Sequence, residues 1–341
     1  MRDYIIHSER AAPIRLNANQ PADRFYRGGS RIAGFRRGRA ASGDRVPEDW
    51  IGSTTCVRGQ DPAGMTILAS GITLAEAVAN RPEWWLGAAH YRRFGADTKI
   101  LVKLLDAGER LPIHAHPHST FARTRLGAAH GKAEAWYILS AGLVHLGLTR
   151  DLGSAELREI VDSQQTDVLL AAMHQVAVHP GDRVYVPPGL LHSIGAGVFL
   201  AEVQEPEDLS ILLEWKGFRL DGRRDGHLGL GFDSALQAVD RAATWPAAIA
   251  SLVNSSTSTA TSSLPSLADE YFRLEHVDVE EGFSIAAGFA VLLVLTGEMT
   301  IAGADGTCSA SVGDTFVVPA AAGTLAVLGR GTLLVARPPT A

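Results

Sequence analysis

The stretch "LPIHAHPHSTFA", residues 111–122, sets His114, His116 and His118 into five positions and interrupts them with Pro117. Residues two apart on a strand project to the same face, so His114 and His116 would stand side by side. Two neutral imidazoles on one face form half of a first-row metal site. Glu134 in "GKAEAWYIL" would add a hard oxygen, and His192, just past the turn of "VPPGLLHSI", a third imidazole. Such a three-His, one-Glu set suits Zn, Fe, Mn or Ni and leaves positions open for substrate or water. A lone His-x-His is equally well a polar bend, so the weight rests on the joint pattern.

Strands are the elements that must carry these groups. "TKILVKLLDAG", "AEAWYILSAG" and "GDRVYVPPG" are short apolar or alternating runs closed by Gly and Pro, the punctuation of an antiparallel barrel or sandwich. Helical spacing occurs in "TLAEAVANRPEWWLG" (73–87), which Pro82 divides, and in the short segments 154–163, with Ser154 as expected N-cap, and 167–175. The Ser/Thr stretch "NSSTSTATSSLPS" (254–266) cannot bury enough apolar surface to order itself and reads as a linker. Beyond it a second β-rich series repeats a phrase of the first. "HPGDRVYVPPGLLHSI" (179–194) and "SVGDTFVVPAAAGTLAV" (311–327) share a Gly-Asp turn, a strand, a proline and a small-residue turn. Only the first copy carries a histidine, His192.

A length of 341 residues suggests about two domains. With 46% hydrophobic and 20% charged residues the chain has the profile of a soluble globular protein, and its net charge of −6 offers no basic field to nucleic acid. Two cysteines, Cys56 and Cys308, without CxxC spacing, give neither a disulfide framework nor a thiolate metal site and fit a reducing compartment. The N-terminus has no uninterrupted apolar segment and no run is long enough to span a bilayer, so a cytosolic location without membrane partner is expected.

His-x-His, a downstream strand Glu and GDxxYxPxGxxH together describe the metal motif of the cupin barrel. The sequence resembles the type I mannose-6-phosphate isomerases, or phosphomannose isomerases. The matching stretches are "IHAHP", "GKAEAWYIL", the helical segment within 154–175, "GDRVYVPPGLLHSIGAG" and "LAEVQEPEDLS", with weaker similarity in "RFYRGGSRI", "PEDWIGSTT" and "FGADTKILVKLLDAGERL". The resemblance implies a mainly β protein of two cupin-type jelly-roll barrels. Residues 1–253 would form the metal-binding unit, with a helical insertion at about 150–176, and residues 267–341 a second unit without ligands. It implies one divalent ion, zinc foremost with Fe, Mn or Ni possible, on His114, His116, Glu134 and His192. It also implies interconversion of mannose-6-phosphate and fructose-6-phosphate through an enediolate, with Glu202, ten residues past His192, as acid/base group.

Lys132 would share a strand face with Glu134 and hold a sugar hydroxyl or phosphate as a point charge. Two positions depart from the family pattern. His114 stands where glutamine is usual, and Leu212 stands where an arginine is expected ten residues past Glu202. Lys216 and Arg219 follow closely enough to be candidate replacements, and Arg123 and Arg125 in "FARTRLG" are the nearest basic candidates for phosphate. A cupin oxygenase or lyase, or a sugar-phosphate-binding homologue without turnover, is the competing reading, which Leu212 keeps open.

Overall fold

The computed structural model describes residues 10–38, 43–255 and 264–341. Most of the expected linker, 256–263, lies outside the described residues. Its two ends are structured: Val253–Asn254 pairs with the strand Arg183–Val186, and Leu264 is buried in the core. The molecule is mainly β, in three antiparallel sheets.

Six strands form the first sheet, in the order Val253–Asn254, Arg183–Val186, Glu134–Ser140, Phe199–Gln204, Leu101–Asp106, Glu48–Ile51. Leu101–Asp106 and Phe199–Gln204 are buried at every position, because each face of this sheet has a cover. Val102, Ala201 and Val203 face the C-terminal unit and share a core with Leu274, Val291 and Leu334. The alternate residues face the other way. Register places Glu202 opposite Lys103 on one side and Trp136 on the other, with Trp50 beyond Lys103, which gives one row of large polar groups across the sheet.

Facing this row is a five-stranded sheet in the order Ile211–Leu212, His114–Ala115, His192–Ile194, Gly142–Leu148, Met173–Val178. Its outward residues Ile113, Ala115 and Leu191 pack under the helix Ser154–Asp162 through Leu157, Ile160 and Val161. The helical insertion therefore covers one face and leaves the other free to carry histidines. Two helical expectations need correction. The helix predicted at 167–175 is Thr166–Ala171, and Met173–Val178 is a strand, as the alternating exposure along "MHQVAV" requires. Gly153, not Ser154, occupies the cap position, without a side-chain bond, and Ser154 begins the helix. In "TLAEAVANRPEWWLG" the break falls as expected: Leu74–Asn80 is closed and Pro82 opens Pro82–Leu86.

The C-terminal sheet runs Ile14–Arg15, Thr315–Val318, Ala290–Gly303, Leu325–Arg337, Arg273–Val279, with two further strands on its long members. Its edge strand Ile14–Arg15 thus comes from the N-terminal part of the chain. Arg36, also N-terminal and fully buried, donates to the Gly313 carbonyl at 2.7 Å and lies 3.1 Å from Asp49, tying the two units together. The repeated phrase is the same local device twice. Asp182 accepts from the His179 N–H at 2.8 Å and Asp314 from the Ser311 N–H at 2.9 Å, and each Gly-Asp turn feeds a four-residue buried strand ending before proline. No helix among the described residues is long and apolar enough to cross a membrane, and both cysteines are free.

Candidate metal centre

His114 and His192 are cross-strand partners, and Pro112–His116 presents the two histidines of the His-x-His on one face. Each of the three imidazoles is anchored through Nδ1 on a backbone carbonyl: His114 on Pro112 at 2.8 Å, His116 on Leu209 at 2.7 Å, His192 on Leu190 at 2.8 Å. Carbonyls only accept, so Nδ1 carries a proton on each ring and Nε2 is the atom turned to the other two histidines. The rings then converge, with centroids 4.0–4.9 Å apart and candidate ligand atoms within 4.8 Å of one another. Among the described residues this is the one group of three or more such side chains so placed.

Glu134 arrives from the opposite sheet. Its Oε2 lies 3.0 Å from His116 Nε2 and its Oε1 3.2 Å from His192 Nε2, while Trp136 Nε1 donates to Oε1 at 3.1 Å. His192 Nε2 and Glu134 Oε2 are buried and make no well-aligned hydrogen bond. Buried polar atoms without partners call for an explanation. Three imidazoles and a carboxylate, oriented by outer partners and leaving His192 Nε2 and Glu134 Oε2 without a hydrogen bond, fit a divalent cation.

Burial, together with the neighbouring His192 and His116, holds His114 well below the usual imidazole range. Burial and the Lys132 ammonium push His116 down to about 3. Both imidazoles are therefore held neutral, the form a metal ligand requires. Burial alone would raise Glu134, but Lys132, His116 and His192 outweigh it and keep the carboxylate ionised.

A cavity of about 620 Å³ opens beside these groups. His114, Glu134, Lys132 and Glu202 line it. Lys132 Nζ is 3.0 Å from both His116 Nε2 and Glu134 Oε2, so the lysine two before the ligand does share its face. Glu202, in the facing row of the sheet, lies 3.3 Å from Lys103 Nζ. Its carboxyl is raised by burial and by Glu134, the mark of a group poised to take a proton.

The structure does not bring the remaining candidates to this cavity. Arg123 and Arg125 sit on an exposed π-helical turn, Ala122–Leu126, and Lys216 is an exposed residue whose N–H donates to Gln164 at 3.0 Å. Arg219 is exposed against Asp23. Leu212 does line the cavity. Sequence reasoning missed a buried polar group on the same wall. Glu48 lies 3.0 Å from Arg24, 3.4 Å from Lys103 and 2.7 Å from the Tyr26 hydroxyl and Trp50 Nε1. Glu48 and Glu202 together raise Lys103 to about 12 against the pull of burial. The signal was a lysine inside the apolar run "ILVKLLD".

A family model described as "Mannose-6-phosphate isomerase, cupin domain" matches residues 263–338. A mannose-6-phosphate isomerase of Streptococcus mutans is 29% identical over 184 residues, 52% of this chain and 55% of that protein. The mannose-6-phosphate isomerase ManA of Bacillus subtilis is 33% identical over 120 residues, 33% of this chain and 36% of its own. The chain thus matches about half, or less, of the length of these curated relatives. Among solved structures, the mannose 6-phosphate isomerase of Bacillus subtilis superposes with a TM-score of 0.75 at 24% identity, covering 95% of this chain and 99% of that one. A phosphomannose isomerase of Salmonella typhimurium gives 0.72 at 15% identity, covering 97% and 100%. The structural likeness concerns the fold; the sequence matches and the family model make the chain similar to mannose-6-phosphate isomerases, over part of its length, and to their cupin domain.

Proposed function

We propose that the chain is a metal-dependent aldose–ketose isomerase that interconverts mannose-6-phosphate and fructose-6-phosphate. The observation that carries this reading is the convergence of three carbonyl-anchored imidazoles with the Glu134 carboxylate, beside a cavity that also holds the buried Glu202.

A divalent ion held by His114, His116, Glu134 and His192, zinc foremost, with iron, manganese or nickel compatible with the same donors, would supply Lewis acidity toward the sugar oxygens. The protein's own groups do the rest. Glu202 takes the proton from C2 of the open-chain aldose and returns it to C1 while the hydroxyl proton passes from O2 to O1, and the same transfers run in reverse in the other direction. Its raised pKa suits both halves, since the same carboxyl must accept and then donate. Lys103 at 3.3 Å fixes the carboxylate and compensates its charge when ionised. Lys132, buried beside Glu134, offers ammonium N–H donors to sugar oxygens as negative charge grows on O1 and O2. Tyr26, which lines the cavity and is buried, gives this side an apolar ring that excludes bulk water.

Incubation of the metal-loaded protein with mannose-6-phosphate in deuterium oxide tests the reading. Deuterium enters C2, exchange stops on chelation, and Glu134→Ala and His192→Ala abolish it. Stoichiometric iron with oxygen consumption, and no exchange with any sugar phosphate, would transfer the chain to the oxygenase reading.

A further inference from the structure

The reacting groups leave the substrate's phosphate without a partner. Around the inner cavity every cation is already matched: Arg24 by Glu48 at 3.0 Å and Asp208 at 3.6 Å, Lys103 by Glu48 and Glu202, Lys132 by Glu134 at 3.0 Å. A dianion placed there would meet carboxylates as often as ammonium groups. Arg58 differs. It lines the cavity, is exposed, and has no carboxylate within 4.0 Å of its guanidinium among the described residues. Its single guanidinium hydrogen bond is a long one, 3.4 Å, from Nη2 to the Leu228 carbonyl. The Arg58 backbone N–H is meanwhile pinned on Asp208 at 3.1 Å, which fixes where the side chain starts. Four of its five N–H donors are free for a ligand.

The segment that meets Arg58 carries a second cation. Arg224, on the short helix Gly222–Asp225, lines the same cavity and is bound only to its neighbour Asp225, through two exposed contacts of 2.8 Å. Exposed pairs of this kind hold little energy and exchange readily for a better anion. Leu212 supplies the anchor: its N–H donates to the Gly226 carbonyl at 2.8 Å, so the apolar wall residue seats the segment that brings Arg224 to the opening. Leu228 in this segment adopts φ +55°, an uncommon conformation for leucine, and its carbonyl is the one that holds Arg58.

We propose that Arg58 and Arg224 form a phosphate clamp at the cavity mouth, taking the phosphate monoester dianion of the substrate while its carbonyl end reaches the histidines. This assignment rests on the sugar-phosphate reading above. Guanidinium forks match phosphate oxygens in pairs, so loss of either arginine falls on binding.

The test uses the full-length, metal-loaded protein and the variants Arg58→Met, Arg224→Met and both together. With mannose-6-phosphate, each single variant should raise KM by ~10-fold or more while kcat stays within about 3-fold, and Arg58→Lys should recover part of the loss. An unchanged KM in both single variants of an active enzyme overturns the clamp and leaves the isomerase reading intact. If the wild-type protein turns over no sugar phosphate, that reading fails, and calorimetric titration with mannose-6-phosphate judges the clamp alone. Binding by the wild type that weakens ~10-fold in Arg58→Met supports it; equal binding, or none by the wild type, overturns it.

Discussion

Glu214 touches neither the cavity nor the ligand atoms, yet the geometry makes it a determinant of metal affinity. Its buried carboxylate receives Arg110 through two N–H groups at 2.7 and 2.5 Å, and accepts the Ile113 backbone N–H at 3.0 Å, next to His114. Arg110 reaches on to the Ser193 hydroxyl at 3.3 Å, next to His192. The pair therefore spans the two strands that place the facing imidazoles. Glu214→Ala strands a guanidinium and leaves a buried N–H without an acceptor. Breaking a buried pair costs ~3–5 kcal/mol, and because the Arg110 side chain is 26% exposed the lower end, ~3 kcal/mol, is expected. Displaced outer partners of ligating histidines typically lower metal affinity ~10–100-fold, and that range is the prediction for zinc. Competition titration against a chromophoric chelator reads the affinity, and urea unfolding of the chelated protein reads the stability. Arg110→Ala in the Glu214→Ala background should add little, since the two act as one unit. Zinc affinity within two-fold of wild type in a destabilised Glu214→Ala protein would refute the reasoning and leave the pair a stability element alone.

Glu202→Gln keeps shape and hydrogen bonding but removes the base, so kcat should fall by ~10²–10⁴ with KM nearly unchanged, measured by coupled assay. In the proposed mechanism Glu202 is the base in its ionised form; its carboxyl is raised by burial and by Glu134, so activity should be lost as pH falls through a value above the ordinary carboxylate range. A pH–rate profile whose acid limb sits at or below that range contradicts the assignment. Burial would raise Glu48, but Arg24 and Lys103 overcome it and hold the carboxyl well below its usual value. Its stabilisation is therefore full above the unfolded carboxylate pKa and lost as pH falls toward the folded one, so Glu48→Gln should flatten the acid side of the stability profile. Gly297 has φ +76°, and an added Cβ would stand 2.0 Å from the Arg330 carbonyl, so Gly297→Ala should destabilise the C-terminal sheet by ~2 kcal/mol or more in urea unfolding.

The clustering of the three histidines was legible because its geometry is local. A two-residue spacing puts His114 and His116 on one face, and the repeated Gly-Asp turn fixes where His192 follows. Glu134 and Lys132 became legible in the same way, two apart on one strand. The opposite wall was not, because Arg24, Glu48, Lys103 and Asp208 meet only through pairing of strands distant in sequence, Glu48–Ile51 with Leu101–Asp106. Arg123, Arg125 and Lys216 were chosen for nearness along the chain. None of the three lines the cavity, while Arg58 and Arg224, far from any motif, do. The expected helix 167–175 ("DVLLAAMHQ") takes in the first three residues of the strand Met173–Val178, because its apolar run precedes the alternation that marks the strand.

The central claim is that His114, His116, Glu134 and His192 bind one cation together. X-ray absorption of the zinc-loaded protein tests it most directly. The expected result is one zinc per chain in a shell of three imidazole nitrogens at ~2.0–2.1 Å with oxygen completing it, reduced by one nitrogen or lost in His192→Ala. A shell of six light oxygens unaffected by His192→Ala, or no zinc retained above background, would contradict it.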